Sequence, residues 1–144
     1  MMLIDANLLL YAYDESSPDH AAAKVWLEKH FSSNDLVALC WQCITAFLRI
    51  STNPRAFVSP FSVKEAIEIV NEWLGNDALT ILMPAGRHWE IYRKLLEEGQ
   101  ASGPLAMDAH LAALAIEHGA TLCTTDRDFS RFSGLRTYNP ISSR

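Results

Sequence analysis

Apolar and polar positions along the chain form short apolar runs separated by longer segments with helical periodicity. Four runs have the length and character of buried parallel strands, and a weaker run lies near the C-terminus. The predicted strands are Met2–Asp5, Leu36–Cys40, Leu79–Met83, Thr121–Thr125 and Arg136–Tyr138. The segments between them are long enough for the helical crossovers that parallel strands require. The pattern therefore predicts an α/β fold, a three-layer α/β/α sandwich with a mainly parallel central sheet.

Several helix ends carry their own signals. Ser17 followed by Pro18 predicts a helix that starts with a cap and has proline at its first position. Ser62, with a glutamate three residues later, forms a capping-box pattern. The segment Pro104–His118 is predicted to be a helix that stops at Gly119 in a left-handed cap, with a strand directly after it.

The composition is that of an ordinary globular protein. With 144 residues, 49% hydrophobic and 20% charged, it predicts one domain over residues 1–144. The net charge of −5 argues against a broadly basic nucleic-acid surface, although a bound metal would supply positive charge locally. The N-terminus lacks the features of a signal peptide, and no apolar run approaches the ~20 residues that cross a bilayer. We therefore expect a cytoplasmic protein without a membrane segment.

Acidic residues follow two of the predicted strands. Asp5 ends the first strand, and Asp126 and Asp128 come directly after the strand Thr121–Thr125. Because binding sites in open α/β sheets form outside the carboxyl ends of the strands, we expect these carboxylates to meet there. The alternative is that Asp5 and Asp126 only cap the helices that follow them.

Asp108 is predicted to face the sheet although it is charged. On the helix Pro104–His118, the positions three and four residues later are Leu111 and Ala112, which belong to the apolar stripe. A buried carboxylate needs a partner, since burying an unpaired charge is costly. The partner is either a metal ion or an arginine such as Arg49.

A group of carboxylates at one sheet edge indicates a hard divalent cation. Two like charges ~4 Å apart repel by roughly 4 kcal/mol at an effective dielectric constant of ~20, and a metal ion offsets that repulsion. Oxygen ligands favour Mg²⁺ or Mn²⁺ over zinc. Such a site activates water to hydrolyse a phosphodiester bond. The chain has no glycine-rich phosphate loop, which argues against an NTPase.

Other residues near this edge have a structural and a functional interpretation. Arg49, Arg55 and Arg127 are predicted to hold an RNA backbone, with ordinary solvated charge as the alternative. For Trp41 and Phe57, packing in the core is favoured over stacking on unpaired bases.

The segment Cys-Trp-Gln-Cys at residues 40–43 lies at a strand-to-helix junction, where redox motifs occur. It lacks the Gly-Pro centre of a thioredoxin-like site, so reduced and packed cysteines are the favoured interpretation. His110 is predicted to be a surface residue that faces away from Asp108.

Five stretches of the chain resemble the sequence blocks of PIN domains, and specifically those of VapC-type toxins. They are LIDANLLLYA at 3–12, FLRISTNPR at 47–55, DAHLAALA at 108–115, TDRDF at 125–129, and FSGLR followed by Asn-Pro at 132–140. The stretches run the whole length of the chain and arrive in the family's order. The resemblance implies a PIN fold.

The resemblance also implies an endoribonuclease that depends on Mg²⁺ or Mn²⁺ and acts as the toxin of a toxin–antitoxin pair. RNA would be its substrate, a VapB-type antitoxin its partner, and a homodimer its assembly. Apolar residues around Trp26, Leu27, Phe31 and Phe57–Phe61 would then form a dimer face or an antitoxin groove.

Residue roles carry over by position. The implied site consists of the metal ligands Asp5, Asp108 and Asp126, the further catalytic acid Asp128, and the polar supporting residues Asn7 and Thr125. Many PIN domains place a glutamate in the second block, where this chain has Gln42 and Ala46. That departure favours the alternative of a catalytically weak PIN scaffold that binds RNA or a protein without cleavage. A small metal phosphatase is a third interpretation.

Overall fold

The computed structural model describes residues 1–141 and contains five strands and six α-helices in an alternating order. In chain order they are β1 (Met2–Ile4), α1 (Ala6–Tyr13), α2 (His20–Phe31), β2 (Val37–Leu39), α3 (Trp41–Ser51), α4 (Val63–Leu74), β3 (Leu79–Ile81), α5 (His88–Glu98), α6 (Leu105–Glu117), β4 (Thr121–Cys123) and β5 (Thr137–Tyr138). A 3-10 helix at Arg127–Arg131 joins β4 to β5. Within residues 1–141, no helix combines the length and apolar character needed to span a membrane.

The strands form one parallel sheet in the order β3-β2-β1-β4-β5. The predicted α/β architecture and all five predicted strands are confirmed. Each strand is slightly shorter than predicted, because the chain leaves the sheet earlier to enter a cap or a turn. Asp5 and Cys40, for example, are the N-caps of α1 and α3 rather than the last residues of strands.

The core lies around the three central strands and α6. Leu3 of β1 pairs with Ala38 of β2 and Leu122 of β4, and all three side chains are fully buried. Helix α6 consists mostly of apolar residues, and its Leu111 and Leu114 side chains are fully buried. Full burial of a leucine stabilises the fold by roughly 1.5–3 kcal/mol. Packing of these leucines therefore helps to hold α6, which also carries Asp108, in place.

Two predicted helix ends are confirmed and one is wrong. Ser62 forms the capping box of α4, and Gly119 adopts the left-handed conformation after α6 with φ of 67°. Ser17 does not cap α2, which begins at His20. The Ser17 hydroxyl accepts a hydrogen bond from the Asp19 N–H at 3.1 Å, and its carbonyl accepts one from His20. Ser17 therefore closes a turn in front of the helix, which is a common competing role of serine.

Candidate active site

Asp5 and Thr124 lie side by side at the carboxyl edge of the sheet. Ile4 of β1 pairs with Cys123 of β4, so the next residue of each strand leaves the sheet at the same place. The Thr124 hydroxyl donates a hydrogen bond to Asp5 Oδ2 at 2.7 Å. The same hydroxyl oxygen accepts a hydrogen bond from the Asp126 N–H at 3.0 Å. Buried Thr124 thus ties the end of β1 to the loop that carries Asp126.

Asp5 combines a structural role with a place in the site. Its Oδ1 accepts a hydrogen bond from the Ala6 N–H at 2.8 Å, so the residue also caps α1, as the alternative interpretation proposed. Burial raises the pKa of the Asp5 carboxyl. The hydrogen bonds from Thr124 and Ala6 partly oppose that rise, and the charge of Asp126 adds to it. Both oxygens of Asp5 therefore already have a partner within the protein.

Three other carboxylates form a tight group. Asp108, Asp126 and Asp128 each offer one oxygen, and these oxygens lie within 4.8 Å of one another. The Asp126 side chain also accepts a hydrogen bond from the Asp128 N–H at 2.8 Å, which caps the 3-10 helix. The group joins the first turn of α6 to the loop after β4, two segments that are distant from Asp5 in sequence. We call Asp108, Asp126 and Asp128 the carboxylate triad.

Burial and the neighbouring acids both disfavour the charged form of Asp108. Burial, and after it the charges of Asp126, Asp5 and Asp128, raise the pKa of Asp108 to about 6, and Arg131 opposes this rise only weakly. Within residues 1–141, Asp108 forms no ion pair with Arg49, so the salt-bridge interpretation is wrong. Among residues 1–141, no ion pair balances the negative charge at this edge. A cation from solution would be attracted strongly.

The donor set fits a hard divalent cation. Mg²⁺ binds oxygens at about 2.1 Å in octahedral geometry, so neighbouring ligand oxygens lie about 3 Å apart and opposite ones about 4 Å apart. Three oxygens within 4.8 Å reach that arrangement with small side-chain movements. All three are carboxylate oxygens, which suit magnesium or manganese and not a soft metal. Asp128 lies in the 3-10 helix Arg127–Arg131, and Asp126 is the N-cap of that helix.

The triad opens onto a groove of about 720 Å³ between α3, α5 and α6. Asp5, Asp108 and Asp126 line its floor together with Asn7, and exposed Arg49 lies on its α3 wall. The structure therefore brings most of the sequence-predicted site residues to one groove.

Four predicted residues are not among those that line this groove. Asp128 is exposed in the 3-10 helix and joins the triad through its carboxylate. Thr125 and Arg127 line an adjacent cavity of about 320 Å³, which shares Asp126 with the groove. Arg55 is exposed in the turn after α3 and is not among the residues that line either space. Thr124, rather than Thr125, supports the acids directly. The strand register identifies it, because it follows the residue paired with Ile4.

The two positions that lack the family's usual glutamate both face the groove. Ala46 and Gln42 line its α3 wall. The Gln42 amide crosses to α6, where its Nε2 donates to the Met107 carbonyl at 3.1 Å. Its Oε1 lies 2.8 Å from Nδ1 of His110. Gln42 therefore links two helices and adds no charge to the site.

Two side-chain placements predicted from sequence are wrong. His110 is half-buried and lines the groove instead of facing away, because α6 is covered by α5 on the side where residue 110 points. Trp41 is 50% exposed on the groove wall instead of packed in the core, since it is the first residue of α3 and lies beyond the sheet edge. Phe57 is buried as predicted. The three cysteines are free, buried thiols, and the Cys40 and Cys43 sulfurs are 3.5 Å apart.

Comparison with known proteins gives a consistent family assignment. The family model of the PIN domain matches residues 2–135. Ribonuclease VapC37 of Mycobacterium tuberculosis is 37% identical over 140 residues, which are 97% of each chain. Ribonuclease VapC43 of the same species is 35% identical over 144 residues, covering 100% of this chain and 98% of that one.

Solved structures share the fold at low sequence identity. VapBC2 from Rickettsia felis, bound to a DNA fragment from their promoter, gives a TM-score of 0.69 at 19% identity, covering 96% of this chain and 97% of that chain. VapBC-1 from nontypeable Haemophilus influenzae gives 0.67 at 17% identity over the same shares of both chains. The family match, the relatives in sequence and the shared fold agree, and the chain belongs to the PIN domain family, in its VapC group.

Proposed function

We propose that this protein is a metal-dependent endoribonuclease and the toxin of a toxin–antitoxin pair. The observation that carries the proposal is the carboxylate triad, whose oxygens lie within 4.8 Å of one another and form no ion pair within residues 1–141. Two of its members, Asp108 and Asp126, line the groove. The relatives named VapC ribonucleases are 33–37% identical over almost the whole chain, which supports the assignment of substrate. We further propose that residues 1–144 act as one PIN-like domain. The cytoplasmic location stays a prediction.

The proposed mechanism assigns a role to each acid. Asp108 and Asp126 would hold Mg²⁺ or Mn²⁺, and bound metal supplies an activated water and charge stabilisation at the phosphorus. Asp128 is the exposed member of the triad, and we assign it to orient the attacking water. Asp5 completes the negative surface of the groove while Thr124 and Ala6 keep its side chain fixed. Asn7 offers an amide to the same groove.

RNA would approach along the groove. Exposed Arg49 on the α3 wall would contact a phosphate next to the scissile bond. Arg127 borders the adjacent cavity beyond Asp126 and would hold the next stretch of backbone. Trp41 is exposed on the groove wall and would stack on an unpaired base. Arg55 would contact only a longer RNA, since it lies outside both spaces.

A second groove, of about 420 Å³, fits a protein partner. It lies beside α1, α2 and the loop before α4, with the apolar residues Leu27, Phe57, Phe61 and Ile69 and the acidic residues Asp14, Glu15 and Glu28 in its lining. An amphipathic segment with basic residues would bury its apolar face there and pair with the acidic side chains. The similar solved structures are described as VapBC complexes, which supports a VapB-type antitoxin as that partner. The homodimer stays a prediction.

A variant at one exposed position distinguishes the role of this partner groove from that of the catalytic groove. Val58 is 76% exposed and lines the partner groove, so Val58→Asp is expected to weaken the complex with co-expressed antitoxin and to leave RNA cleavage intact. Val25→Asp, at an exposed position of α2 outside this lining, is the matched control. Equal antitoxin binding by both variants would show that the partner binds at another surface of the protein.

The test of the proposed function is cleavage of RNA in the presence of Mn²⁺, with and without chelator. Wild-type protein should cut only with metal, and Asp108→Asn should lose activity by ~100-fold or more, because each 1.4 kcal/mol of lost stabilisation is tenfold in rate. Asp77→Asn removes an exposed aspartate in the turn after α4 and serves as the control. RNA binding without cut products would favour a non-catalytic scaffold, and turnover of a phosphate monoester would favour a phosphatase.

A further inference from the structure

The first turn of α6 carries Asp108. The helix begins after Pro104, which gives no side-chain cap. The N–H groups of Leu105, Ala106 and Met107 donate instead to the backbone carbonyls of Ser102, Gly103 and Pro104. Repulsion from Asp126, Asp5 and Asp128 pushes on the Asp108 carboxylate in the same turn. Contacts from outside α6 would oppose this repulsion by fixing the backbone of the turn.

Two side chains from neighbouring helices bind the carbonyls of that turn. The Tyr92 hydroxyl of α5 donates a hydrogen bond to the Ala106 carbonyl at 2.8 Å. The Gln42 Nε2 of α3 donates to the Met107 carbonyl at 3.1 Å. The two acceptors directly precede Asp108 in the chain, so the backbone that carries this carboxylate is tied to both flanking helices.

A third contact fixes the Gln42 amide, and it comes from a residue that follows Asp108 in the chain. The Gln42 Oε1 lies 2.8 Å from His110 Nδ1, which donates when it carries the ring proton. The His110 ring in turn makes an edge contact with Tyr92, with ring centroids 5.5 Å apart. Both ends of the Gln42 amide are thus engaged with α6. A glutamate at position 42 would place a carboxylate oxygen next to the Met107 carbonyl oxygen, and the two would repel each other. An uncharged amide, which donates a hydrogen bond to that carbonyl, therefore fits here.

We propose that Gln42 and Tyr92 are positioning residues that hold the first turn of α6 so that Asp108 stays in the carboxylate triad. We call this pair the α6 clamp. The inference rests on the proposed function, because it assigns the clamp to the metal-binding acid. Both clamp residues line the groove. Besides shaping it, they would tune affinity for the ion, as hydrogen-bonding residues around metal ligands do.

The clamp is tested with two variants that keep side-chain volume and remove the hydrogen bonds, Tyr92→Phe and Gln42→Met. The first readout is the Mn²⁺ dissociation constant, obtained from the electron paramagnetic resonance signal of free Mn²⁺. Loss of a residue that orients a ligand weakens metal binding by roughly 10- to 100-fold, and we expect a change in that range. The second readout is amide hydrogen exchange of residues 105–110 in metal-free protein, which should become faster.

The matched control is Thr52→Val. The Thr52 hydroxyl donates to the Leu48 carbonyl at 2.7 Å at the other end of α3, so this change also removes one bond from a side chain to a helix carbonyl. It should leave Mn²⁺ affinity unchanged. If Tyr92→Phe and Gln42→Met bind Mn²⁺ as wild type does, or lose no more affinity than Thr52→Val, the inference is overturned while the proposed function stands. Wild-type protein that binds no Mn²⁺ would overturn both.

Discussion

Asp5 and Asp108 face the same groove, yet the protein holds the two carboxylates in opposite ways. Both oxygens of Asp5 accept hydrogen bonds, one from Thr124 and one from the Ala6 backbone. Within residues 1–141, the Asp108 side chain accepts no hydrogen bond, and its pKa rises to about 6. The fold therefore fixes Asp5 before any ligand arrives, whereas it leaves the Asp108 carboxylate without a hydrogen-bond partner among residues 1–141. The two acids of one groove thus differ in how far the protein itself satisfies them.

The largest expected effect comes from adding metal. At a hundredfold excess over its dissociation constant, one bound ion stabilises the folded protein by about 2.7 kcal/mol. Asp108→Asn should lose most of this gain, and its metal-free form should be at least as stable as wild type because a repulsive charge is gone. Thermal unfolding with Mn²⁺ and with chelator measures both quantities. A large loss of stability in the metal-free variant would place Asp108 in the scaffold with Asp5.

The next effect concerns the hydroxyl that fixes Asp5. Thr124→Val removes the donor to Asp5 and the acceptor for the Asp126 N–H, and leaving buried polar groups unpaired costs about 1–3 kcal/mol. Thr125→Val changes the neighbouring half-buried threonine, which has no part in these two bonds, and should cost much less. Denaturant unfolding of the metal-free proteins makes the comparison. Equal losses for the two valines would remove the special role of Thr124.

The raised pKa of Asp108 predicts a pH dependence of stability. A carboxyl with a pKa of about 6 in the folded state and 3.8 in the unfolded state binds more protons when folded, so stability falls as pH rises between these values. After allowance for solvent screening of a half-buried group, we expect a fall of about 1–2 kcal/mol. The fall should be smaller in Asp108→Asn, since Asp5 also contributes with the same sign. Melting temperatures in chelator between pH 4 and 7 (about the interval of the two pKa values) test the difference.

The smallest expected effect lies on the groove wall. Trp41→Ala should raise the KM for RNA about fivefold, which corresponds to about 1 kcal/mol, the lower end of base stacking on an aromatic ring. Met83→Ala removes a similarly exposed apolar side chain outside the groove and should change nothing. Steady-state cleavage of a short oligoribonucleotide provides both values. A change in kcat alone would argue that Trp41 acts on the acids rather than on RNA.

Sequence reasoning predicted the sheet and the acids for the same reason. Buried parallel strands are visible as apolar runs, and acids that follow strands β1 and β4 must meet where these neighbours end. Asp108 was found from helical periodicity, because the apolar stripe of α6 includes its position. The ends of β1 and β2 were predicted one residue too late. The sequence at Asp5 and at Cys40 is compatible with either the last residue of a strand or the N-cap of a helix, and the structure has the N-cap.

The parts that escaped prediction depend on how helices pack against each other. Gln42 and Met107 are 65 residues apart, and nothing in their spacing shows that the amide of one reaches the carbonyl of the other. His110 was assigned to the surface because periodicity tells which side of α6 faces the sheet but not which sides α3 and α5 cover. The exposure of Trp41 likewise depends on where α3 starts relative to the sheet edge.

The pairing of β1 with β4 also has a consequence for biosynthesis. Asp5 emerges from the ribosome first, whereas Asp126 and Asp128 belong to the last part of the chain, and the two regions meet only when β4 docks beside β1. A nascent chain therefore lacks a complete set of acids until β4 and the segment after it have been made. Because domains fold as units once their segments are available, the acidic site assembles only after both regions have left the ribosome.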